Sequence, residues 1–151
     1  MASRHRSRER ALQMLYQWDL TKAAPEQVIK TYWGGLSAHE DAEAAIEDAF
    51  ANRLVEGVSG RIEQIDSLIK AHAANWRLER MSTVDRSILR MAVYEMLENT
   101  DLAPVVINEA IEIGRRFSAR ESAGFLNGVL DAIRKSLEEA DPAPVGSRPG
   151  D

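Results

Sequence analysis

The chain has 151 residues, 44% of them hydrophobic and 28% charged, with a formal net charge of −5. That is enough apolar material for one core, and no apolar run is long enough to span a bilayer. The absence of cysteine rules out disulfides, thiolate metal sites and a cysteine nucleophile, and it suits a reducing cytoplasm, the expected compartment.

The N-terminus reads MASRHRSRERALQMLYQWDL. It has no apolar segment with a small-residue cleavage site, so it is not a secretory signal. Residues 1–10 carry Arg4, Arg6, Arg8, Arg10 and Glu9, a net of +3 on a chain whose remainder is −8. Ala11, Met14, Leu15 and Trp18 then follow the helical i, i+3, i+4, i+7 pattern, which predicts a first helix from Ser3 or Ser7 to Thr21. Pro25 suits the first turn of a second helix bearing Val28, Ile29 and Tyr32. Gly34-Gly35 is expected to end it, with a loop at 36–43.

Ile46, Phe50, Leu54 and Val58 mark a third helix, and Ile62, Ile65, Ile69 and His72 a fourth. Trp76 to Met81 reads as a connector. Ser82-Thr83-Val84-Asp85 resembles a capping box with Asp in the Glu position. The fifth helix behind it has apolar residues around most of its circumference and is expected to be the central one. Asn99 to Leu102 is a turn, and Pro104 opens a sixth helix. Ser118-Ala119-Arg120-Glu121 reads as a second capping box before a seventh helix with Leu126, Val129, Leu130, Ile133 and Leu137 inward. The tail 141–151, with three prolines and two glycines, is expected to be disordered. The whole predicts an all-α bundle of seven helices, with residues 1–140 as a single domain.

Cations at a helix N-terminus oppose its dipole by about 0.3–1 kcal/mol each, so four arginines there point to a partner beyond the fold. Arginine binds phosphate bidentately. Near the other end, Phe125 stands between Gly124 and Gly128, four apart on one helix face. Two readings are open: another helix packs on that face, the one we favour, or a ligand approaches the bare backbone beside a ring on which a base can stack. Asn108-Glu109 reads as a cap or a buried polar contact. The histidines have no ligand spacing, and His72 is expected to pack in the core. No Walker, dinucleotide, zinc-protease or nucleophile-elbow motif is present, so neither catalysis, a metal nor a cofactor is expected.

Four segments, SRERALQMLYQWDL, FANRLVEGV, VDRSILRMAVYEML and INEAIEIGRRFSARESAGFLNGVLDAI, resemble the NusB family of bacterial transcription antitermination factors. The resemblance covers about residues 4–137, apart from the region near 34–45. It implies two helical sub-bundles and a non-catalytic protein that binds boxA, a short single-stranded element of nascent RNA. It also implies NusE, a small-subunit ribosomal protein, as co-binder, and NusA, NusG and RNA polymerase in a larger complex acting on ribosomal RNA operons. By residue, the resemblance implies RNA contacts at Arg4, Arg6 and Arg8, with Arg10 in the same basic arm, and at Phe125 with Glu121 nearby. It implies NusE docking at Tyr16 and Asp85, with Arg90 orienting that face or holding a buried structural role. His5 stands where the family often has Arg or Lys. DLAPVVINEA is a residue shorter than a common form of that connection and lacks its lysine. With about four phosphates neutralised, log K is expected to fall with log salt at a slope of roughly −3.

Two rival readings remain. A NusB-like domain also begins some ribosomal RNA cytosine methyltransferases, whose cofactor domain and nucleophilic cysteine this sequence lacks; on that reading the chain is a fragment. A homodimeric helical interaction module with incidental arginines is the other.

Overall fold

The computed structural model describes residues 3–39 and 47–140. Seven α-helices are present among them: α1 (Arg4–Thr21), α2 (Pro25–His39), α3 (Ala49–Gly60), α4 (Ile62–His72), α5 (Thr83–Glu98), α6 (Ala103–Phe117) and α7 (Ser122–Ala140). Single 3-10 turns at Leu78–Arg80 and Thr100–Leu102 lead into α5 and α6. The all-α, seven-helix reading holds, and no strand is found among the described residues. The expected tail at 141–151 lies outside them.

Local chemistry explains most boundaries. Ser3 caps α1 by accepting from the Arg6 N–H at 3.1 Å, and Lys22, at φ 60°, closes it with an N–H bond to the Trp18 carbonyl. Ser82 caps α5 through the Asp85 N–H. Two expectations fail. α2 runs through Gly34-Gly35 to His39, so 36–39 is helix; 40–43 lies outside the described residues. The glycines are exposed, with no described atom within 4 Å of the missing Cβ outside their own helix backbone and chain neighbours, and the buried Trp33 just before them donates its indole N–H to Asn52 at 2.7 Å. Docking of α2 through Trp33 outweighs a propensity loss of about 1 kcal/mol per glycine. The second capping box does not form either. α7 starts at Ser122, and the Ser118 hydroxyl donates to Asp85 instead of capping Glu121.

The helices form two sub-bundles that share α5. α1, α2 and α3 pack on one another; α4, α6 and α7 gather round α5; and α5 also packs on α1 and α3. Nine of its sixteen residues are buried, including Ile88, Leu89, Met91 and Met96, which confirms it as the central helix. Each such side chain removed from water contributes roughly 1.5–3 kcal/mol. Gly57 of α3 permits a close approach, since a Cβ there would collide with the Tyr94 ring. α6 and α7 form a hairpin whose turn, residues 118–121, faces the start of α5.

Candidate nucleic-acid interface

The four N-terminal arginines separate into two kinds. Arg4 and Arg6 are exposed. The Arg4 guanidinium lies 3.8 Å from the centroid of Phe50, and Arg6 meets Glu9 at 3.3 Å. Arg8 is 7% exposed. Its Nε and Nη2 donate to the two carboxylate oxygens of Glu95, each at 2.8 Å, and its Nη1 donates to Glu109 at 3.2 Å. Burial works against its charge, but the hydrogen bonds and charges of Glu95 and Glu109 outweigh this and raise its pKa above the usual arginine value. This corrects the expectation for Arg8. With all three nitrogens committed inside the protein, it joins α1 to α5 and α6 and offers nothing to a phosphate. Arg10 is also largely enclosed, 3.8 Å from Asp48 and 5.8 Å from the Trp33 ring centre.

Polar contacts extend from the arm to α6. Glu9 is 2% exposed and is met by His5 at 3.3 Å and by Arg116 at 2.9 Å. His5 also meets Glu109 at 3.1 Å, so this residue, where the family often has Arg or Lys, turns toward two carboxylates. The Arg116 guanidinium lies 5.1 Å from the Phe117 ring, one residue before the 118–121 turn. Arg4 and Arg6 are thus the exposed arginines of the arm.

Beyond the turn, Glu121 is exposed and Phe125 is half-buried, its ring 5.2 Å from that of Trp76. Gly124 and Gly128 are exposed, with no atom within 4 Å of where a Cβ would stand. The favoured packing reading is therefore not met among the described residues, where no helix covers this face. Two neighbours of these groups had no sequence signal as a site. Trp76 sits in an irregular connector outside any helical stripe. Arg53 of α3 is exposed, 5.4 Å from the Phe50 ring that Arg4 covers, and has no carboxylate partner among the described residues. Only the fold brings α3 beside the arm.

Residues expected to dock a protein lie around the junction of α1 and α5. Asp19 meets Arg86 at 2.7 Å and Arg90 at 3.6 Å. Burial raises the pKa of Asp19, but Arg86, Lys22 and Arg90 more than offset this and hold it below the usual aspartate value. Arg90, half-buried, donates to both oxygens of Asp66 at 2.9 Å and so ties α5 to α4. Tyr16, one turn before Asp19, is half-buried, with no partner for its hydroxyl among the described residues. The Asp85 carboxylate accepts from the hydroxyls of Ser118 at 2.5 Å and Ser122 at 2.9 Å. His72 is half-buried and bonds the Leu68 carbonyl. Among the described residues no group of three or more His, Asp or Glu side chains is placed to hold a metal, and no helix is long and apolar enough to cross a membrane.

The sequence model of the NusB family matches residues 5–135. The chain belongs to the NusB family. Transcription antitermination protein NusB of Solibacter usitatus is 46% identical over 145 residues, covering 96% of this chain and 97% of the relative. That of Myxococcus xanthus is 42% identical over 142 residues, covering 92% and 99%. Among solved structures, T. maritima NusB superposes with a TM-score of 0.74 at 34% identity, over 89% of this chain and 92% of that one. A chain from a crystal of antitermination factors NusB and NusE with double-stranded RNA gives a TM-score of 0.72 at 28% identity, over 89% and 99%.

Proposed function

We propose that this protein is a transcription antitermination factor that binds boxA-type single-stranded RNA together with NusE. In the larger complex with NusA, NusG and RNA polymerase it helps the polymerase read through terminators, especially in ribosomal RNA operons. It acts in the cytoplasm and by binding, with no catalytic step. The similarity over nearly the whole chain to NusB crystallised with NusE and RNA carries this reading. The site residues support it. Arg4 and Arg6 supply phosphate contacts from an acidic body, and Phe125, beside two bare glycines, supplies a ring for an unpaired base. That relative was crystallised with a duplex, but a duplex hides its base faces, and a stacking ring calls for a single strand. Tyr16 and Asp85 serve the NusE face, and residues 1–140 act as one unit.

The test is a titration of the protein, with and without NusE, against boxA RNA, its duplex and a scrambled strand at two salt concentrations. Preference for single-stranded boxA, strengthened by NusE, is expected. Equal weak binding to all three overturns the proposal.

A further inference from the structure

Trp76 is 61% exposed. An indole left in water gives up much of the roughly 1.5–3 kcal/mol that burying a large apolar side chain contributes, so the fold gains little from holding it there. It is nevertheless fixed. Its backbone N–H donates to the Ala73 carbonyl at 2.6 Å, and its ring leans on Phe125 at 5.2 Å between centroids with the planes at 59°. Trp76 borders an open groove of about 470 Å³ lined also by Lys70, Asn75, Arg77, Leu78 and Glu79. Lys70, Arg77 and nearby Arg80 are exposed and have no carboxylate partner among the described residues.

We propose that Trp76 is a base-stacking surface for single-stranded RNA that carries the strand from Phe125 onto the connector between α4 and α5. The inference rests on the RNA-binding reading above and adds a residue and a direction to it. The two rings are already in contact, so no base enters between them; the base lies on the outer indole face. Lys70 and Arg77 line the same groove as Trp76, as partners for the adjoining phosphates, which favours a polyanion over an apolar protein segment. The bare backbone at Gly124 and Gly128 lets the strand pass close to α7 on its way to the ring.

The experiment uses the full chain and a labelled boxA oligonucleotide, with binding followed by anisotropy at two salt concentrations. Trp76→Ala is expected to lower affinity about tenfold, the loss of one stacked base, and Trp76→Phe to restore most of it. The salt slope stays as in the parent, because no charge is removed. Indole emission of the parent falls on RNA addition, and this fall disappears in Trp76→Phe, which keeps Trp18 and Trp33. Since the side chain is exposed, the helical circular dichroism of both variants is unchanged. Unchanged RNA affinity in Trp76→Ala overturns the inference, as does a variant that keeps RNA binding but loses NusE, which assigns the face to a protein. If the parent itself fails to prefer boxA to a scrambled strand, the functional reading falls, and this inference with it.

Discussion

Arg8 and Glu95 form a buried, two-pronged ion pair, with both N–H···O distances at 2.8 Å and Glu109 closing the third side. An arginine in a basic N-terminal arm thus belongs to the core. Removing one member of such a pair leaves an uncompensated charge inside the protein, a loss of about 3–5 kcal/mol. Arg8→Ala is expected to lose that much in urea denaturation. Arg8→Lys recovers only part of it, because an ammonium cannot match both carboxylate oxygens at once. Full stability in Arg8→Ala contradicts the geometry.

Arg4 and Arg6 are expected to behave in the opposite way. Arg6 is 54% exposed at its side chain and holds Glu9 only at 3.3 Å, so its ion pair is worth no more than about 1 kcal/mol. The double change Arg4→Ala, Arg6→Ala should leave the urea midpoint nearly in place. It should weaken RNA binding and flatten the salt slope by about 1.4, or 0.7 per phosphate contact on a single strand. A stability loss as large as that of Arg8→Ala would show that the exposed arginines are structural.

The contrast between these arginines shows which features were legible in the sequence. Helical periodicity locates α1, α5 and α6 because their apolar stripes are set by the next helix over, and Ser3 and Ser82 cap where their side chains allow. The burial of Arg8 was not legible. Its partners lie 87 and 101 residues away, and alternation along the arm makes Arg4, Arg6, Arg8 and Arg10 look alike. The glycine pairs misled for a related reason. Gly34-Gly35 resembles a helix stop, yet Trp33 holds α2 in place; Gly124 and Gly128 resemble a packing seam, yet no helix arrives among the described residues. In each case the deciding contact, or its absence, belongs to tertiary structure. The resemblance to the NusB family points to Phe125, but not to Trp76, whose ring lies beside it.

Acid should act on the α1–α5 junction. Asp19, held by Arg86, Lys22 and Arg90, has a pKa below that of an unfolded aspartate, about 3.9. The unfolded chain therefore takes up the proton first as the pH falls. The stability that Asp19 contributes is complete well above that value, and is lost as the pH drops through it and on through the lower folded one. Asp19→Asn should be less stable than the parent at pH 7, with the gap closing toward pH 3. Melting curves across that range decide the point; a gap that widens in acid contradicts the assignment.

Asp85 connects the start of α5 to the turn before α7 through Ser118 and Ser122. Hydrogen bonds to a charged group contribute roughly 1.5–3 kcal/mol each, less where water reaches them. Asp85→Ala is expected to lose about 1–3 kcal/mol and to let the first turn of α7 fray, which hydrogen exchange at residues 122–126 would report as reduced protection. Protection equal to the parent's would mean that the hairpin holds its own turn.

Gly124 and Gly128 allow folding and binding to be separated, because the same substitution should push them in opposite directions. Each glycine lies in a helix with open space where a Cβ would go. Alanine there lowers the entropy of the unfolded chain and adds helix propensity, about 0.4–1 kcal/mol per site. If these positions mattered only to the fold, alanine would be the better residue at both. Gly124→Ala with Gly128→Ala is therefore expected to raise the melting temperature by several degrees and to weaken boxA binding, because two methyl groups now stand where the strand passes. The loss should leave the salt slope unaltered, since no phosphate contact is removed. A stabilised variant that binds boxA as tightly as the parent would show that the RNA keeps clear of this face, and the path from Phe125 to Trp76 would have to be redrawn.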